Sequence, residues 1–140
     1  MIKNKLQLDE VGVIIPTFNE AQYLKRLITS LKELGLSKIC IVDAESADET
    51  VAIAKEQGLT ICYSTQKNRA FQLNLGARQF ETEFYLFIHA DVCLTELNES
   101  FFLKQINSTN YSFGNFKLQF DSEHCFLKLN EKFIHLKVGE

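Results

Sequence analysis

Two long apolar runs in this chain break off into polar groups: Val11–Glu20 (VGVIIPTFNE) and Phe84–Asp91 (FYLFIHAD). A run without alternation predicts a strand buried on both faces, as in a parallel sheet covered by helices. Between them the period lengthens. Leu24, Leu27, Ile28, Leu31 and Leu34 recur at helical spacing, with Asn19 as the expected N-cap and Gly35 as the stop. Ile39–Asp43 (ICIVD) reads as the second strand, and Ser46–Glu49 (SADE) as a capping box opening a helix through Val51, Ala52 and Ala54 to Gly58. Thr60–Ser64 is a shorter strand. From Asn68 to Phe80 the positions Ala70, Leu73, Ala77 and Phe80 form one helical stripe, after which the second long run is expected to carry a fourth strand into His89 and Asp91.

Beyond that run, Tyr111 to Phe120 alternates, with Phe116, Leu118 and Phe120 against Lys117 and Gln119, as a half-exposed strand near a sheet edge does. Cys125 to Val138 places Phe126, Leu129, Phe133 and Leu136 on one side of an expected helix. Alternating strands and helices predict an α/β fold of three layers, α/β/α, with a mainly parallel sheet. In such sheets ligands sit beyond the carboxyl ends of the strands, so both long runs aim their chemistry at one edge.

Composition narrows the classes. With 140 residues, 46% of them hydrophobic, residues 1–140 are expected to form a single domain. A charged fraction of 24% and a net charge of -3 offer no basic field for nucleic acid. Cys40, Cys62, Cys93 and Cys125 have no CxxC spacing and read as small buried hydrophobes of a reducing compartment, pointing to the cytoplasm. No run reaches the ~18 apolar residues that crossing a bilayer takes, and the N-terminus lacks a signal-peptide core.

Four motifs then stand at the ends of the expected elements: Ile15–Glu20 (IPTFNE), Val42–Thr50 (VDAESADET), Asn68–Ala70 (NRA) and His89–Asp91 (HAD). In these the chain resembles the nucleotide-sugar-binding half of a family 2 glycosyltransferase with the A-type fold. The pattern is nearest to a bacterial subgroup that writes the metal motif His-Ala-Asp. The resemblance runs from Val11 to Phe120 and implies transfer of a sugar from a nucleotide diphosphate sugar, a UDP-sugar foremost, assisted by Mn²⁺ or Mg²⁺ and inverting at the anomeric carbon.

The residues can be given matching work. Asp43, at the end of the second strand, can accept hydrogen bonds from a base imide or ribose hydroxyls, as the resemblance implies, or it begins the turn before Ser46. Its removal is expected to cost binding and not stability. Pro16 and Thr17 leave the first strand so that Phe18 and the Thr17 hydroxyl can meet a base. Asn19 and Glu20 serve equally as helix cap and first-turn acid or as binding groups. Arg69, at the start of a helix, can face a diphosphate.

Asp91 is the foremost metal candidate, since a hard cation takes carboxylate, phosphate oxygens and water and neutralises a departing diphosphate. Imidazole suits Mn²⁺ better than Mg²⁺, so His89 is either a second, weaker ligand or a hydrogen-bond partner of phosphate or sugar. Ala44 and Glu45 stand where many relatives have two glycines. His124 and Cys125 are adjacent but lack metal-ligand spacing, and His135 is expected on a lysine-bearing helix face, so both read as satisfied or solvated histidines.

No general base can be assigned. In the family that carboxylate lies in the acceptor half, so the chain is read as stopping before it, with Asp121 and Glu123 as its last acids. The competing reading is a non-catalytic nucleotide-binding remnant. A nucleotidyltransferase or dinucleotide fold would want a glycine-rich phosphate loop, and Pro16–Glu20 contains no glycine. The apolar stripe Phe126–Leu136 is expected to form a homodimer, with folding back on the sheet, or peripheral membrane contact through Lys128, Lys132 and Lys137, as the alternatives.

Overall fold

The computed structural model describes residues 5–94 and 97–108. The strand expected over 111–120 and the helix expected over 125–138, with the dimer and membrane readings built on it, lie outside those residues. So do Asp121, Glu123, His124, Cys125 and His135.

A 3-10 turn, Leu8–Glu10, leads into β1 (Val11–Thr17), followed by α1 (Ala21–Glu33), β2 (Lys38–Asp43), α2 (Thr50–Glu56), β3 (Thr60–Tyr63), α3 (Arg69–Ala77), β4 (Phe84–Phe87) and α4 (Glu99–Ser108). The strands form a parallel sheet in the order β3-β2-β1-β4. Alternate residues of β1 supply the two sides of the core. Val11, Val13 and Ile15 pack with Leu24, Leu27, Ile28 and Leu31 of α1, Ala54 of α2 and Phe102 of α4. Ile14 packs on the other face with Cys40, Val42 and the α3 residues Leu73 and Leu75. The fold is therefore three-layered, α/β/α, as expected. Each buried Leu or Ile of α1 contributes about 1.5–3 kcal/mol of transfer free energy, so its apolar stripe holds that helix to the sheet.

Pro16 fits inside a central strand because of register. Residues of like parity turn their backbone groups to the same neighbour, and the last bond to β4 runs from the Ile88 N–H to the Ile14 carbonyl at 3.1 Å. Pro16 would donate on that side one step later, beyond the last ladder pair, Ile14 with Phe87, so it breaks no bond within the ladder.

Both expected helix stops are observed, Gly35 and Gly58 having φ of 83° and 68°. The starts differ from expectation. The N-cap of α1 is Glu20, because Asn19 takes a left-handed conformation (φ 55°) and its side chain accepts the Ala47 N–H at 2.8 Å. No Ser46 capping box forms. Helix α2 begins later, at Thr50, and the Ser46 hydroxyl is used outside it, donating to the Asp43 carboxylate and accepting the Asn19 N–H at 2.8 Å.

The buried face of α3 is also turned from the expected stripe, with Gln72 and Gly76 innermost and Ala70 exposed. A Cβ on Gly76 would run into Ile14 Cγ2 and stand 2.7 Å from Val42 Cγ2, so α3 lies on the sheet as closely as only a glycine permits. Strand β4 is shorter and more open than expected. It ends at Phe87, which is 50% exposed and stacks on Tyr85 at 6.2 Å between ring centroids. Cys40 is buried and Cys62 half-buried, but Cys93 is exposed, contrary to the reading of all four as buried. Helix α4 was not expected. Its start is capped by the Asn98 side chain, which accepts the Phe101 N–H at 2.9 Å. No helix among the described residues is long and apolar enough to cross a membrane.

Candidate functional site

The strand order reverses direction at β1, so the crevice beyond the carboxyl ends of β1 and β4 is the topological switch point where open α/β sheets bind ligands. Thr17, Asp43 and the His89–Asp91 turn all leave strands at that edge.

Its floor is polar and buried. Asp43 is 1% exposed and Thr17 2%. The Asp43 carboxylate accepts the Thr17 hydroxyl at 3.0 Å, the Ser46 N–H at 2.8 Å and the Ser46 hydroxyl at 2.5 Å. A carboxylate can accept about four hydrogen bonds, so one position on Oδ2 is left. Asp43 thus builds the floor, and its removal would strand buried donors. The expectation that it matters to binding alone does not fit this geometry.

Gln72, which the sequence reading passed over, completes the floor from α3. Its side-chain amide donates to the Val42 carbonyl at 2.7 Å and the Thr17 carbonyl at 3.1 Å, bridging the ends of β2 and β1. A polar residue four before Gly76, on the same helix face, was the available signal.

Above the floor, charges from four loops share one field. Desolvation raises the Glu20 pKa, with Asp91 and Asp48 adding to the rise and Arg69 opposing it. Desolvation lowers the His89 pKa, helped by Arg69 and opposed by Asp91. Glu20, Arg69, His89 and Asp91 are therefore brought together. Arg69 opens α3, whose start is capped by the Asn68 side chain accepting the Phe71 N–H at 3.1 Å. His89 and Asp91 sit in a turn closed by the Val92 N–H on the His89 carbonyl at 3.2 Å. Pro16 is buried in β1 opposite Val42 and does not reach the opening.

Phe18 stands at the rim, 40% exposed, with the Lys67 ammonium 3.9 Å above its ring centroid. Lys67 was not singled out by the sequence.

Among the described residues no three His, Cys, Asp or Glu side chains converge into a ready metal cage. Asp91 and His89 offer a hard carboxylate and an imidazole on one turn. That donor set fits a divalent cation held by one or two protein groups and completed by phosphate and water, and Mn²⁺ suits the imidazole better than Mg²⁺.

Comparison with known proteins bears on this edge. The model of the family described as glycosyl transferase family 2 matches residues 12–130. A 4,4'-diaponeurosporenoate glycosyltransferase of Staphylococcus haemolyticus is 34% identical over 104 residues, covering 69% of this chain and 27% of that protein. An uncharacterised protein of Methanocaldococcus jannaschii is 37% identical over 59 residues, 42% of this chain and 24% of its own length. The chain thus spans about a quarter of these curated relatives.

Among solved structures, a mannosyltransferase of Pyrobaculum calidifontis in complex with GDP-mannose and Mn²⁺ superposes with a TM-score of 0.62 at 22% identity, over 70% of this chain and 31% of that one. Glucosyl-3-phosphoglycerate synthase of Mycobacterium tuberculosis, solved with Mn²⁺, UDP-glucose and phosphoglyceric acid, gives 0.54 at 18% identity over 59% and 34%. Both likenesses concern the fold.

Proposed function

The chain belongs to glycosyl transferase family 2, and on that premise we propose that its strand-end edge binds a nucleotide diphosphate sugar with a divalent cation, as the donor site of a sugar transferase. The observation that carries this is the shared field of Glu20, Arg69, His89 and Asp91 beside the buried Thr17–Asp43–Ser46 floor.

In this reading the nucleoside lies over Thr17, Asp43 and Phe18, with the diphosphate toward Arg69. Asp91, with His89, holds Mn²⁺ or Mg²⁺, which when bound neutralises charge on the leaving diphosphate. Arg69 orients the diphosphate through its planar fork of donors, and its fixed charge favours the nucleotide diphosphate as leaving group. Attack by the acceptor from the face opposite the diphosphate would invert the anomeric carbon. A UDP-sugar is the first donor to test.

Calorimetric titration of UDP and of GDP, with Mn²⁺ and with chelator, tests the proposal. At least one should bind about tenfold or more tightly with Mn²⁺, and Asp91→Asn should abolish that difference without lowering the melting temperature, since Asp91 is exposed. Equal affinity with and without metal would refute the metal site.

A further inference from the structure

The β1–α1 and β2–α2 loops are clasped by side chains. The Asn19 N–H donates to the Ser46 hydroxyl at 2.8 Å and the Ala47 N–H to the Asn19 side-chain carbonyl at 2.8 Å. The Glu20 N–H donates to the Thr50 hydroxyl at 2.9 Å and the Ala21 N–H to Asp48 Oδ2 at 3.1 Å. Asp48 Oδ1 in turn accepts the Thr50 hydroxyl and, at 3.0 Å, the Thr50 N–H.

Two consequences follow. The N–H groups of Asn19, Glu20 and Ala21 at the start of α1 are already occupied, so they are not free to cradle a diphosphate. Glu20, although it holds the N-cap position, makes no side-chain cap bond, so its carboxylate is not consumed by the helix it begins. It is instead the group that shares a field with Asp91 and Arg69.

We infer that Thr50 and Asp48 are positioning residues of the donor site: by holding the backbone N–H groups of Glu20 and Ala21 they aim the Glu20 carboxylate across the opening toward Arg69 and Asp91. Thr50 is fully buried and meets Glu20 directly, whereas Asp48 is exposed and orients the Thr50 hydroxyl. The clasp makes α1 and α2 share one start, so Glu20 cannot shift without unlatching the second loop. This rests on the donor-site reading given above.

The test compares Thr50→Val, which keeps the shape and loses the hydroxyl, with Thr50→Ser, which keeps the hydroxyl. UDP with Mn²⁺ is the probe, and amide hydrogen exchange at Glu20 and Ala21 is a readout independent of ligand. Thr50→Val should speed exchange at Glu20 and weaken UDP binding about 3- to 10-fold, the range of one hydrogen bond. Thr50→Ser should bind within about twofold of the wild type. Glu20→Gln should remove most of the Thr50→Val penalty, because a residue acting through Glu20 has nothing left to act on.

Asp48→Ala, a surface change, carries the same expectations and decides the matter if Thr50→Val does not fold. Wild-type affinity in both variants, or an equal penalty with and without Glu20, overturns the inference while leaving the donor site standing. A wild-type chain that fails to bind UDP with Mn²⁺ overturns both.

Discussion

Gly76→Ala sets two well-measured tendencies against each other. Inside an exposed helix the change would be favourable by about 1 kcal/mol, because alanine is the better helix former. Here the added methyl would run into Ile14 Cγ2 and stand 2.7 Å from Val42 Cγ2, where carbon contacts prefer about 3.5–4.0 Å. Both partners are fully buried, β-branched and fixed in central strands, so the helix has to rise by about 1 Å. Overpacking of this kind costs about 1–3 kcal/mol.

The rise also stretches the Gln72 amide bonds to Val42 (2.7 Å) and Thr17 (3.1 Å), each worth about 0.5–1.5 kcal/mol. Set against the propensity gain, the net is a loss of about 1–5 kcal/mol, the upper end if both amide bonds break. Urea unfolding should show a lower midpoint with an unchanged slope. UDP affinity should fall as well, since Arg69 opens the same helix. A Gly76→Ala chain more stable than the wild type by about 1 kcal/mol would refute the close approach of α3 and show that propensity alone governs the position.

Two further outcomes are expected. Glu45 holds a left-handed φ of 59° and is exposed; Glu45→Gly relieves a strain of about 1–2 kcal/mol and, after the entropy cost of glycine, should raise stability by about 0.5–1 kcal/mol in thermal melts, a fall being the contrary result. His89 is held below its ordinary pKa of 6.5 by burial and then Arg69, against Asp91, so between that lowered value and 6.5 the unfolded chain binds more protons and stability rises with pH, levelling above 6.5. His89→Gln should flatten that rise below pH 6.5, and an unchanged slope would place His89 in solvent.

The elements that could be read from sequence were those whose cause is local. Strands β1 and β2 are continuous apolar runs, and the α1 stripe repeats at helical spacing within the helix itself. The two glycine stops need only their own φ. Helix α4 was legible and passed over, with Asn98 at its cap and Phe102 and Ile106 four apart on the core side. The buried face of α3 was not legible in the same way. Nothing in Ala70, Leu73, Ala77 and Phe80 announces that the helix presses on Ile14 and Val42 until only glycine fits, nor that two strand-end carbonyls wait for an amide from Gln72.

The site divides along the same line. Thr17, Asp43, His89 and Asp91 could be named because a parallel sheet delivers strand ends to one edge whatever the details of packing. The segment 43–50 shows where that reasoning stops. A Ser-x-x-Glu spacing inside it predicts a capping box, which requires Ser46 to reach the helix that follows. Both sides of that hydroxyl are used elsewhere: it donates to the Asp43 carboxylate three residues back, and its oxygen accepts the Asn19 N–H from the first loop. With Ser46 so engaged, α2 starts at Thr50, and Asp48 and Thr50 hold Glu20 and Ala21, 27 to 30 positions away in sequence. The partners of one hydroxyl thus join a local turn to a contact 27 positions away, in the loop where the floor of the site meets its charged rim.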